Sequence, residues 1–169
     1  NTQIKRVQEF LTRHKSKVPF TAGYGSSEAG SNLTFYVSGR SAGNCNMGCP
    51  MPLTTISIFK PGTTQELSYN ESGEICVSGP GIMMGYDMPE ATAKALMVHD
   101  DGTVWLHMGD MGYMDEEGHV FVLGRGSNNK RYGGGFVDIL PMENLLADAN
   151  IPGIEVCGKP GKLGGIAFA

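Results

Sequence analysis

The sequence predicts an α+β fold: a small, distorted antiparallel β-barrel or sheet with flanking short helices, followed by the beginning of a small α+β domain. Three observations carry this. Short stretches rich in β-branched and other apolar residues recur from Asn32 to Leu123, punctuated by Gly, Pro, Asn and Asp. The 25 glycines accompany a normal apolar share of 40%, so they mark tight turns between strands rather than a low-complexity linker. Helical periodicity is confined to a few short segments.

Taken in order, Ile4, Val7, Phe10 and Leu11 recur at helical spacing with Lys5, Arg6, Glu9 and Arg13 between them, predicting an amphipathic helix that ends near Lys15. Val18 to Ala22 then reads as a short strand delivering the turn "TAGYGSSEAG". Further strands are expected at Leu33 to Ser38, Thr54 to Lys60, Glu74 to Ser78, Thr103 to His107 and His119 to Leu123. In "GEICVSG", Ile75 and Val77 alternate with Glu74 and Cys76, the pattern of a strand with one buried face. "DMPEATAKALMV" reads as a helix with Pro89 in its first turn. "DEEGHVFVLGR" is a hairpin turn entering an apolar strand that stops at Gly124-Arg125. Beyond it come the polar loop "GSNNKRYGGGF", a short helix opened by Pro141, a turn-rich stretch from Lys159 to Gly165, and "IAFA" as the first residues of a strand. No internal repeat is present. The expected boundary is Gly126 to Gly135, which divides the sequence into a β-rich part, 1–125, a glycine-dense loop, 126–135, and a remainder, 136–169.

Composition narrows the function classes. A formal net charge of −4 and a pI near 5.5, with Lys and Arg thinly scattered, argue against a nucleic-acid surface or a polybasic membrane anchor, which leaves small molecules or proteins as partners. No apolar run of about 18 residues exists, and "NTQIKRVQEF" is a charged amphipathic stretch rather than a signal peptide, so a cytoplasmic location is expected. Of the cysteines Cys45, Cys49, Cys76 and Cys157, only the first two are close; "CNMGC" lacks a second pair at zinc-site spacing, and reduced thiols are the default. "GIEVCGK" starts like a phosphate-binding Walker loop, but Pro160 follows, with neither hydroxyl nor N–H. No Gly-x-Gly-x-x-Gly follows a strand; Gly23 and Gly25 are followed by Glu28 where the third glycine would stand.

What remains is a set of three segments in order: "GYGSSEAG" from Gly23, "GEICVSGPGIMMGYDMPEAT" from Gly73 to Thr92, and "WLHMGDMGYMDEEGHVFVLGR" from Trp105 to Arg125. Each residue in them has a plain structural reading when taken alone: Asp110 as a turn acid, Arg125 as a surface cation, Val122 as core. Together the segments closely resemble the core motifs of the adenylate-forming superfamily, the acyl- and aryl-CoA synthetases, luciferases and peptide-synthetase adenylation domains. "GPGIMMGYDMPEAT" looks more like the CoA ligases.

The resemblance implies roles for particular residues. Tyr24 matches the aromatic that lies along adenine, Ser27 the hydroxyl beside the α-phosphate, and Glu28 the carboxylate that holds magnesium, which makes Ser27 and Glu28 the catalytic pair of this segment. Asp110 matches the acid that accepts both ribose hydroxyls, Arg125 a guanidinium reaching the ribose and phosphate side, and Val122 an apolar residue under the nucleoside. Ser127 stands at the hinge, and Gly133 and Gly134 at the thiol channel. A carboxylate is an acceptor-only partner for a diol, and magnesium wants hard oxygen. The implied ligands are ATP or AMP, Mg²⁺, a small carboxylic acid, and coenzyme A or a carrier's phosphopantetheine. Departures exist as well: Met108 and Ser27 stand where the family has threonine, Ser127 where it has Asp or Lys, and about one extra residue precedes Pro141. The family's glycine-rich phosphate loop is expected upstream of Asn1 and its catalytic lysine downstream of Ala169. The expectation is therefore a part of an AMP-forming acid–thiol ligase, inactive alone; the rival is a non-catalytic nucleotide-binding or interaction module derived from the same fold.

Overall fold

The computed structural model describes residues 2–18, 20–36 and 45–126, together with the backbone of 130–132, 135–137, 158–160 and 166–168. The chain divides into two compact units, one of residues 21–123 and the other of residues 1–20 with 124–169.

In the second of these, α1 spans Thr2–Arg13, with Arg13 in the last turn where a cation suits the negative end of the helix dipole. The expected strand after it is not formed. Instead, the Phe20 N–H donates to Gln8 Oε1 at 3.1 Å, so the segment folds back on its own helix rather than entering a ladder. Two short antiparallel hairpins, β10 (Lys130–Tyr132) with β11 (Gly135–Val137) and β12 (Gly158–Pro160) with β13 (Ile166–Phe168), complete the described part. The helix expected from Pro141 lies outside the described residues.

The unit of residues 21–123 is built from antiparallel pairs. β1 (Gly25–Ser26) and β2 (Ser31–Asn32) flank a single 3-10 turn at Ser27–Ala29. β3 (Thr34–Phe35) pairs with β4 (Cys49–Pro50), a strand with no signal in the sequence. The main sheet runs β5 (Thr55–Phe59), β6 (Gly73–Ser78), β8 (Val104–Met114), β7 (Leu96–Val98), with β9 (Val120–Arg125) also on β8. Among the described residues these strands form an open sheet, not a closed barrel. β8 is long enough, at 11 residues, to take β7 along its first part and β9 elsewhere.

α2 covers only Pro89–Ala95; Leu96, Met97 and Val98, expected to continue it, turn extended and pair with Leu106, Trp105 and Val104. Ladder hydrogen bonds and burial against β8 outweigh the helix preference of Leu96 and Met97, and the β-branched Val98 suits the extended form. A second correction concerns β6. Ile75 and Val77 enter the main core with Leu33, Ile56, Ile58, Leu106 and Val120, but Cys76 on the opposite face is also fully buried, beneath Phe59 and Trp105. Both faces of the central strand are therefore covered. At roughly 25 cal/mol per Å² of apolar area, that two-sided burial makes β5, β6 and β8 the rigid frame of the unit.

Candidate functional site

The segment from Tyr24 to Asn32 is fixed from within. Tyr24 N–H donates to Thr34 Oγ1 at 2.9 Å, and the Tyr24 carbonyl accepts the N–H groups of Leu33 and Thr34 at 2.8 and 3.3 Å. Thr34 is itself buried and donates its hydroxyl to the Met47 carbonyl. At Gly25 a Cβ would overlap the Ser31 carbonyl oxygen, so only glycine permits β1 and β2 to close around the 3-10 turn. That turn exposes Ser27, half-buries Glu28 and buries Ala29. Ser26 Oγ is buried with no hydrogen-bond partner among the described residues.

Two hydrogen bonds then draw in the distant segments. Tyr24 is 8% exposed, its ring within the main core, and its hydroxyl donates to Asp110 Oδ2 at 2.7 Å across 86 residues of sequence. Asp110, 9% exposed, sits on β8 immediately after Gly109. From the middle segment, the Tyr86 hydroxyl donates to Glu28 Oε1 at 3.0 Å across 58 residues, and the Met83 N–H donates to the Glu28 carbonyl at 2.7 Å. Thr92 in the middle of α2 accepts the Tyr86 N–H at 2.8 Å and so fixes the loop that carries the tyrosine. All three sequence segments thus meet around Tyr24, Glu28 and Asp110.

The other expected residues are placed as follows. Val122 lies on β9, packed against the main core, its N–H on the Cys45 carbonyl at 3.1 Å. Met108 also packs against that core. Arg125 is exposed at the end of β9 and falls in the unit with residues 1–20. Ser127, Gly133 and Gly134 lie outside the described residues.

Behind Asp110 is a polar chain that sequence reasoning passed over. Glu74 Oε2 is 3.0 Å from His107 Nδ1, and His107 Nε2 is 3.0 Å from His99 Nε2. Phe59 meets the His99 ring edge-on at 4.5 Å. Burial works to raise the Glu74 pKa, but the hydrogen bond and charge of His107 and the Gly109 N–H outweigh it and hold the carboxyl below its ordinary range. Burial, helped by His107, holds His99 below the ordinary imidazole value. The only sequence signal was the Gly-Glu pair of the second motif; the partners 25 and more residues on are set by strand register alone.

The donor set suits a nucleotide with a metal: a half-buried carboxylate of hard oxygens at Glu28, an acceptor-only carboxylate at Asp110, and, two residues before Glu28, a buried Ser26 hydroxyl without a partner among the described residues. Residues 3–87 match the AMP-binding enzyme family. The chain is 34% identical over 158 residues to luciferin 4-monooxygenase of Luciola mingrelica, covering 92% of this chain and 28% of that protein. It is 37% identical over 164 residues to the long-chain-fatty-acid–CoA ligase of Bacillus subtilis, covering 94% and 27%. Among solved structures, O-succinylbenzoate coenzyme A synthetase of Bacillus subtilis in complex with ATP and magnesium ion superposes with a TM-score of 0.75 at 28% identity, covering 92% of this chain and 31% of that one. The chain spans about 28% of the length of the curated relatives it matches.

Proposed function

The chain belongs to the AMP-binding enzyme family, and from that premise we propose that it forms the nucleotide-contacting part of an AMP-forming acid–thiol ligase. The observation that carries this reading is the Tyr24–Asp110 hydrogen bond, which joins the first and third motifs at one buried point. In the reaction, a substrate carboxylate oxygen attacks the α-phosphorus of ATP and pyrophosphate leaves, giving an acyl adenylate. A thiol, from coenzyme A or a phosphopantetheine carrier, then attacks the acyl carbon and AMP leaves. Asp110 accepts the ribose hydroxyls, Tyr24 lies along adenine while holding Asp110, Val122 packs under the nucleoside, and Ser27 donates to the α-phosphate. Glu28 would hold Mg²⁺, which neutralises charge building on the phosphate oxygens. The chain's own part in catalysis is positioning, which is most of what phosphoryl chemistry asks of a protein. Arg125, Ser127 and the pair Gly133 and Gly134 complete the reading as ribose contact, hinge and thiol channel, with 1–125, 126–135 and 136–169 as the working divisions.

One observation favours the second reading, a nucleotide-binding module without turnover: Met108 offers no hydroxyl beside Gly109-Asp110 and packs into the core instead. Acid-dependent pyrophosphate release separates the two. The longer protein that carries this chain is expected to release pyrophosphate from ATP when given its acid, and Glu28→Gln to lose most of that activity; the 169-residue chain alone is expected to release none. ATP binding without release by the longer protein would establish the binding module, and turnover by the isolated chain would refute its reading as a part.

A further inference from the structure

We propose that Glu74 is a positioning residue for nucleotide binding, holding the bulged Gly109-Asp110 turn of β8 so that Asp110 presents its carboxylate to the ribose. This rests on the reading of Asp110 given above. The register of β6 on β8 carries the inference. Glu74 stands opposite Met111 and Cys76 opposite His107, so Met108, Gly109 and Asp110 together face the single residue Ile75. A regular antiparallel ladder has one residue there; the surplus is a bulge, a device that re-aims side chains and leaves backbone groups without ladder partners. Gly109 takes φ +68° in it, a conformation that costs other residues about 1 kcal/mol or more.

Glu74 supplies what the ladder no longer does. Its Oε1 accepts the Gly109 N–H at 3.2 Å, while its Oε2 faces His107 Nδ1 at 3.0 Å. An ionised carboxylate only accepts, so a His107 proton faces it from Nδ1; His107 Nε2 then meets His99 Nε2, and His99 Nδ1 is a buried atom without a hydrogen-bond partner among the described residues. Glu74 is thereby pinned from behind by the two imidazoles and aims one oxygen at the bulge. Asp110 is fixed from two sides, its side chain by the Tyr24 hydroxyl and its backbone through Gly109 by Glu74. Had Glu74 been only an ion-pair partner for His107, its second oxygen would have no reason to cap the residue before Asp110.

The test is nucleotide affinity in the full-length protein, by calorimetry with ATP, beside steady-state kinetics. Asp110→Asn should weaken ATP binding, which checks the underlying reading. Glu74→Ala should raise the ATP Kd roughly tenfold, the scale of one lost hydrogen bond, with the KM for the acid and kcat at saturating ATP unchanged. Glu74→Gln, which keeps an oxygen for Gly109, should restore most of the affinity. If Glu74→Ala does not fold, Glu74→Asp decides: it keeps the charge but withdraws the oxygen from Gly109, and ATP affinity should fall. An unchanged Kd in the folded Glu74 variant, with Asp110→Asn weakened, overturns the positioning role and leaves Asp110 standing. An unchanged Kd in Asp110→Asn overturns both.

Discussion

Tyr24→Phe removes one oxygen atom and nothing else. The ring keeps its place in the main core, so no cavity opens and no strand need move. What is lost is an O–H donor 2.7 Å from Asp110 Oδ2, with both residues under a tenth exposed. That separation is at the short end for a hydroxyl and fits a charge-assisted bond. Hydrogen bonds to charged groups contribute about 1.5–3 kcal/mol, and a carboxylate this well covered recovers little of it from water. For a chain of this size the loss corresponds to a drop of roughly 3–12 °C in Tm. Urea unfolding followed by fluorescence of Trp105, the sole tryptophan and a buried one in the same unit, reads the change directly. The expected result is a lower midpoint at unchanged slope. A double-mutant cycle with Asp110→Ala isolates the pair, with a coupling energy of about 1 kcal/mol or more. If Tyr24→Phe is as stable as the parent, or the cycle closes to zero, then the two motifs merely lie side by side and the bond is not what joins them.

Three further outcomes are expected. His99 is held below the ordinary imidazole value, so the unfolded chain takes up its proton first: stability should fall as pH drops below about 6.5, and Glu74, held low, adds a loss at lower pH as it protonates. In a series of melts against pH, His99→Phe should flatten the first decline, and an unaltered profile would assign it to other groups. Gly25→Ala should destabilise the unit by about 1–3 kcal/mol or prevent the turn from forming, because its Cβ meets the Ser31 backbone, whereas Gly62→Ala meets nothing and costs only the strain of φ +71°; equal melting points for the two variants would contradict this. In the full-length protein, Ser127→Pro should slow thioester formation far more than adenylate formation if the chain pivots there, read by single-turnover assays of each half-reaction. Equal slowing of both steps would make Ser127 a plain linker residue.

The sequence disclosed most of what is local. Apolar composition between turn residues placed β5, alternation in "GEICVS" placed β6, and the acidic turn before "HVFVLGR" placed the β8–β9 hairpin, where Asp115 Oδ1 takes the N–H groups of Glu117 and His119 as such turns require. Failures fell where a distant partner decides. "LMV" after α2 reads as more helix until Val104–Leu106 lies alongside, and Cys49–Pro50 becomes a strand only because Thr34–Phe35 offers a ladder. Val18 to Ala22 had the composition of a strand, yet a glutamine side chain took the Phe20 N–H.

The candidate site divides along the same line. Tyr24, Glu28 and Asp110 could be named because the three segments around them resemble the core motifs of a known family; taken singly, none stands out from an ordinary turn or core residue. That Tyr24 holds Asp110, that Tyr86 reaches Glu28, and that Glu74 caps Gly109 could not be, since each depends on register between strands dozens of residues apart. The bulge makes the point most sharply. Nothing in "HMGDMG" announces that Met108, Gly109 and Asp110 will stand against Ile75 alone, yet two residues fewer in β8 would restore the regular ladder and remove the turn that carries Asp110. On the reading proposed above, the motifs supply the acting groups, while the irregularity in β8, which no local pattern encodes, sets where Asp110 sits on its strand.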